Sequence, residues 1–115
     1  MNVVSGKYKE EDLIKYKDIT KVYPILKFEQ QATKKMKLRY NNPYDEDKII
    51  IVESTDEDIL YVRTKEIKIE QKASEFIRLI FNMPRTIGVY TPKVVVTNKA
   101  NGEIEEILMF QCQVI

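Results

Sequence analysis

Cys112 is the strongest nucleophile this chain could offer, but no histidine stands anywhere in the sequence to take its proton. A thiol attacks as the thiolate, which needs a neighbouring base or cation to form near neutral pH. Cys112 alternates with Phe110 and Val114, so on a strand it shares their apolar face and reads as an inert core residue. The missing imidazole also removes the commonest general base and the commonest zinc ligand, and with them the histidine-dependent triads. No residue is assigned a catalytic role.

Two acidic triplets, Asp45-Glu46-Asp47 and Asp56-Glu57-Asp58, supply the hard oxygens that calcium prefers. Neither shows the alternating Asp-x-Asp-x-Asp-Gly loop with its distant bidentate glutamate, so both read as solvated turns. If they met at one end of a fold, they would form an acidic rim for a basic partner. No metal and no cofactor is expected. Lys34, Lys35, Lys37 and Arg39, with Lys48, are candidates for a basic stripe facing lipid headgroups or nucleic acid. Alternation with apolar residues makes them the ordinary wet face of a strand, where lysine also guards edges. Nineteen basic and eighteen acidic residues leave a net charge of +1, without the excess that a dedicated nucleic-acid binder needs. The tyrosines are too scattered for a base-stacking platform and read as packing residues.

The elements that must position these side chains are strands. From Lys35 to Tyr40, Met36, Leu38 and Tyr40 point one way and Lys35, Lys37 and Arg39 the other. Asn41-Asn42-Pro43-Tyr44 is a stiff corner, because Pro43 presets its own backbone and holds Asn42 extended. Lys48 to Glu53 is dense in β-branched residues and resumes as a strand. Before this pair, Ile19 to Gln30 carries Pro24 and reads as an edge strand. After it come short strands at Ile59 to Arg63, Ile67 to Ile69, Glu75 to Phe81, Val89 to Thr97 around Pro92, and Ile107 to Ile115. Asn101-Gly102 marks the last hairpin. No segment reads as a convincing amphipathic helix. The expected fold is all-β: an immunoglobulin-like, antiparallel β-sandwich of seven to eight strands.

At 115 residues, 43% hydrophobic and 32% charged, the chain is long enough to bury roughly two-thirds of its unfolded surface in one core. Residues 19–115 are read as the domain and residues 1–18 as a charged lead-in or arm, solvated rather than packed. Within the arm, Leu13 and Ile14 fit either a short helical turn or an extended segment. One cysteine allows no internal disulfide and fits a reducing, cytoplasmic setting. No stretch is long and apolar enough to insert into a membrane.

Several of these residues together resemble a family. Lys37-Leu38-Arg39-Tyr40-Asn41-Asn42-Pro43 is similar to the strand and Asn-Pro corner of major sperm protein (MSP) domains and of related immunoglobulin-like domains in ciliary and centrosomal proteins. Within that group the order of three motifs resembles the C-terminal domains of the nephrocystin-4 family. These are the corner Tyr40 to Tyr44, the strand Ile77 to Phe81, and the final strand Glu106 to Val114, the last with slightly different spacing. The resemblance runs from Ile19 to Ile115. It implies a non-catalytic scaffold domain at the ciliary transition zone or basal body, with transition-zone scaffold proteins or a short peptide as partner. Members at membrane contact sites bind acidic or phosphorylated peptides on a sheet face, through lysines on the strand after the Asn-Pro corner. Here Ile51 and Glu53 occupy that strand, and only Lys93 stands for a lysine from a later one.

The partner-binding candidates are therefore Lys93, Val95, Phe76, Ile80, Ile51 and Glu53. Val94, Val95 and Val96 cannot all face one core, and Phe76 and Ile80 lie opposite Ile77 and Leu79. Such a surplus of apolar side chains marks a patch for a partner or neighbouring domain, or one shielded by the arm. Strand addition at the Ile19 to Gln30 edge is a second route, to a partner or to a homo-oligomer.

Overall fold

The alternating run through Met36, Leu38 and Tyr40 forms strand β2 (Thr33–Asn41), and the β-branched run after the corner forms β3 (Lys48–Ser54). The structure, a computed structural model, describes residues 8–115. The other strands are β1 (Thr20–Phe28), β4 (Leu60–Val62), β5 (Glu66–Ile69), β6 (Ser74–Asn82), β7 (Gly88–Tyr90), β8 (Lys93–Asn98) and β9 (Ile104–Val114). They make a large sheet in the order β1-β9-β8-β3-β5, with β7 also alongside β9, and a small sheet in the order β2-β6-β4. The two sheets pack face to face as the expected immunoglobulin-like sandwich.

Two details differ from the sequence reading, and one alternative that it left open is decided. The run from Val89 to Thr97 is two strands, because Pro92 has no N–H and cannot donate to the ladder. Both halves still track β9 antiparallel, and the Pro92 carbonyl accepts from the Phe110 amide at 3.0 Å. The strand count thereby rises to nine. Next, β1 is an edge strand, as Pro24 implied, but it runs parallel to β9 and not antiparallel, with a register shift between Val22 and Ile25. Lastly, part of the lead-in is helical: a single turn α1 (Glu10–Leu13) runs into a 3-10 segment (Ile14–Ile19). Positions 1–7 of the lead-in lie outside the described residues.

Aromatic rings join the sheets at mid-core. Tyr23 stacks on Phe110 at 4.6 Å between centroids, Phe110 meets Phe81 edge-on at 5.3 Å, and Phe81 leans on Phe28 at 5.8 Å. Phe81 and Phe110 are fully buried. The period-two alternation of β6 and β9 delivers both rings inward, and each ring pair adds about 0.5–1.5 kcal/mol beyond its buried area.

The Asn-Pro corner is held by Asn42, whose relative exposure is 1%. Its side-chain amide nitrogen donates to the carbonyls of Glu46, Ile69 and Glu70 at 2.9, 3.0 and 3.2 Å. Its Oδ1 accepts from the Tyr44 amide at 3.1 Å, and its own backbone amide donates to the Ala73 carbonyl. Chain crossings from β2 to β3 and from β5 back to β6 thus meet at one buried side chain. Truncation would leave the buried Ile69 carbonyl and the partly buried carbonyls of Glu46 and Glu70 without this donor, at a cost of about 1–3 kcal/mol for a fully buried group and less for the others. Asn42→Ala is expected to lower unfolding free energy in urea by about 2–4 kcal/mol. Asn42→Asp should be at least as damaging, since it sets a carboxylate against carbonyl oxygens.

Candidate protein-interaction surface

The six candidate residues fall on two different sheets. Ile51 and Glu53 on β3 pair with Thr97 and Val95 on β8, and Lys93 lies two residues before Val95, so these four share the outer face of the large sheet. Val95 has no exposed surface. It clusters with Leu13 and Ile107, against which Tyr8, Tyr16 and Ile104 pack. The Tyr8 hydroxyl reaches Glu53 Oε1 at 3.3 Å and Thr97 Oγ1 at 3.4 Å. The apolar surplus of β8 is therefore taken up by the lead-in, which packs here through Leu13 where a solvated terminus was expected.

Phe76 and Ile80 lie on the outer face of the small sheet. Phe76 is 40% exposed, with Lys37 Nζ 4.6 Å from its ring centroid. The register sets Lys35 opposite Ile80, Lys37 opposite Arg78 and Arg39 opposite Phe76. On the other side of β6, Tyr61 pairs with Ile80, and the Arg63 amide donates to the Arg78 carbonyl at 3.0 Å. Lys37, Arg78 and Arg63 thus form a row of three cations across the three strands. Like charges directly opposite on one face repel. Among the described residues none of Lys35, Lys37, Arg39, Arg63 and Arg78 is in a salt bridge. Exposed Phe76 and Tyr61 and half-buried Ile80 lie among them. Arg63, Arg78 and Tyr61 were not singled out in the sequence. The alternation of β6 placed Arg78 beside Phe76, but the register of β6 against β2 and β4 could not be read from one chain.

The acidic triplets do not build a cation site. Asp45 pairs with Lys72 at 3.4 Å, Asp47 with Lys68 at 3.6 Å and Glu57 with Lys65 at 3.0 Å, and among the described residues no three acidic, cysteine or histidine side chains converge. Asp56 is buried at a turn; burial raises its carboxyl above the ordinary range, while backbone amides of Ile59 and Asp58 pull it down. An open cleft of about 660 Å³ beside the Asn-Pro corner is lined by charged groups, among them Lys48, paired with Glu105 at 2.7 Å, and Lys99, paired with Glu66 at 3.0 Å. Cys112 is fully buried, and burial pushes its thiol up to about 11, far from a reactive thiolate. Tyr40 and Glu106 crowd one end of the sandwich. Burial raises the Tyr40 hydroxyl, with Glu106 and Glu105 adding to the effect. Burial also raises Glu106, opposed by Lys21 and reinforced by Glu105. These groups hold no activated nucleophile.

Comparison with known proteins places this geometry. No family model matches the chain, and no curated protein does. Among solved structures, SSP-19, an MSP-domain-like protein of Caenorhabditis elegans, superposes with a TM-score of 0.58 at 8% identity, over 75% of this chain and 90% of that one. PapD-like domain 7 of human CEP192 gives 0.58 at 15% identity, covering 84% and 81%. The fold is MSP/PapD-like. A second nematode MSP family member, WR4, superposes with a TM-score of 0.54 at 9% identity, over 86% and 94%. At such identities the likeness to MSP/PapD-like domains is one of fold, and side-chain chemistry must be read from this chain.

The raised carboxyl of Glu106 makes a testable statement about pH. A folded-state pKa above the unfolded one means that the folded chain holds that proton more tightly, so the contribution to stability is present at low pH and lost as the group ionises. The stability advantage of Glu106→Gln over the natural chain should be smallest below about pH 4, the unfolded glutamate range. It should grow as pH rises through the raised value, and urea denaturation from pH 4 to pH 8 measures it.

Proposed function

We propose that this chain is a non-catalytic protein-interaction domain of a nephrocystin-4-like scaffold at the ciliary transition zone or basal body, and that it docks partners through the outer face of the small sheet. The observation that carries the docking face is the exposed ring of Phe76 set among Lys37, Arg39 and Arg78. An exposed aromatic held beside long cationic side chains gives a contact surface that is apolar at its centre and charged around it, as protein interfaces tend to be. The MSP/PapD-like fold supports an interaction module, and the order of the Asn-Pro corner, the Ile77 to Phe81 strand and the final strand supports the nephrocystin-4-like reading. On the large sheet, Lys93, Ile51 and Glu53 are the alternative contact set, engaged in place of the small-sheet face and not beside it.

A second reading, a module for short acidic or phosphorylated peptides such as those used at membrane contact sites, is favoured by the cation row Lys37, Arg78 and Arg63. That row lies on the small sheet, away from Glu53.

Affinity capture from a ciliated-cell extract, with the whole chain as bait, tests the first reading. Transition-zone scaffold proteins are expected, and Phe76→Ser with Ile80→Ser should cut their recovery by about tenfold, the loss of about 1.4 kcal/mol of binding. Ile51→Ser with Lys93→Glu should leave recovery intact. Loss only in the second variant would move the site to the large sheet, and equal recovery in both would remove both faces from the proposal.

A further inference from the structure

The β2 strand is one of the two edges of the small sheet, β4 being the other; among the described residues it pairs with β6 on one side and with no strand on the other. In register with β6, the Met83 amide donates to the Ala32 carbonyl and the Asn42 amide to the Ala73 carbonyl. Antiparallel pairs exchange backbone bonds at every second residue, so the even-numbered positions of β2 bond to β6. On the far side of β6, Asn82 and Arg78 bond to Ile59 and Arg63, which agrees with that phase. The N–H and C=O groups of Thr33, Lys35, Lys37, Arg39 and Asn41 therefore point outward along the open edge, and among the described residues no backbone hydrogen bond meets them.

Those same odd positions carry the cations. Residues facing each other across paired strands put their side chains on the same face, so an added strand would place every second side chain directly beside Lys35, Lys37 and Arg39. Its intervening side chains would turn inward, over Met36, Leu38 and Tyr40. These three remain only half-buried, whereas Ile77, Leu79 and Phe81 on the next strand are closed off. Nothing interrupts this edge: β2 runs nine residues with no proline and no register shift. Of the other sheet edges, β1 carries Pro24 and a register shift between Val22 and Ile25, while β4 and β5 are only three and four residues long. A second copy of β2 is a poor occupant, since its antiparallel pairing would set lysine against lysine.

We infer that β2 accepts an extended partner segment of about nine residues by strand addition, with acidic side chains at alternate positions beside Lys35, Lys37 and Arg39 and apolar ones between them. The segment closes the flank of the core and relieves the repulsion along the Lys37, Arg78 and Arg63 row. This deepens the protein-interaction reading and rests on it, adding the partner's pattern and the edge that takes it.

The probe is a fluorescent nine-residue peptide alternating glutamate and valine, titrated into the whole chain and read by anisotropy. Saturable binding is expected, weakened about tenfold or more by Lys35→Glu with Lys37→Glu and Arg39→Glu. A block peptide of the same composition, and the alternating peptide N-methylated at every second amide, should each bind about tenfold more weakly. Lys37→Pro removes an outward N–H while sparing the bonds to β6, as an edge position tolerates, and should weaken binding beyond Lys37→Gln, which removes the charge alone. Should Lys37→Pro fail to fold, the N-methylated peptide carries the same test. Absence of saturable binding, or equal binding of the alternating, block and N-methylated peptides, overturns strand addition. Binding of phosphatidylserine vesicles or a short DNA duplex that is tighter than the peptide and indifferent to Lys37→Pro overturns it in favour of a charge-only surface. Peptide failure with capture through Phe76 intact sinks the edge alone, whereas peptide binding without such capture sinks the proposed docking face.

Discussion

A single buried amide decides how this sandwich is sewn together. Asn42 sits where the chain passes from the small sheet to the large one and, twenty-eight positions later, near Glu70, where it prepares to pass back. Two side-chain N–H groups serve three carbonyls there, in a site closed to water. Asparagine alone among small side chains offers both donors and an acceptor at this length, and Pro43 keeps its backbone extended so that the side chain turns inward. Once the two crossings are pinned, the relative placement of β2, β3, β5 and β6 is constrained. The aromatic line from Tyr23 to Phe28 then fills the gap between sheets.

The same arrangement explains why the two outer faces have different characters. On the large sheet the valine run of β8 would leave Val95 in water, and the lead-in covers it with Leu13. Among the described residues, none covers the small sheet in this way. Its outer side chains are cationic on β2 and mixed on β6, and the pairing of those strands sets Lys37 against Arg78 with no acid between them. Repulsion of this kind weakens a sheet by tenths of a kcal/mol per pair, which the buried core easily outweighs. The cost is tolerable for the fold, and the surface is left with an unbalanced field.

Much of this was legible in the chain. Period-two alternation located β2, β6 and β9, a β-branched run located β3, and Pro24 marked the edge, whereas Pro92 marked an irregular position without showing that the strand divides there. What could not be read was register and direction. Whether β1 joined β9 or β2 depends on the stacking of Tyr23 on Phe110 and on the Gln111 side chain donating to the Tyr23 carbonyl at 2.8 Å, and neither is visible in local pattern. Arg63 and Arg78 stayed inconspicuous for the same reason, since each is unremarkable in its own strand and gains meaning only from its cross-strand neighbour. Leu13 was ambiguous because a helical turn of four residues carries too little periodicity to declare a buried side.

The parallel pairing of β1 with β9 has a mechanical consequence. The first and last strands lie side by side and point the same way, matched at seven register positions from Thr20 with Ile107 to Phe28 with Val114. Tension drawn through the two ends of the domain would drag these neighbours past each other, loading all of their backbone bonds together instead of peeling them apart one at a time. A sandwich closed in this manner behaves as a shear clasp, and a chain built from such units would carry force along its length without opening at its weakest hairpin.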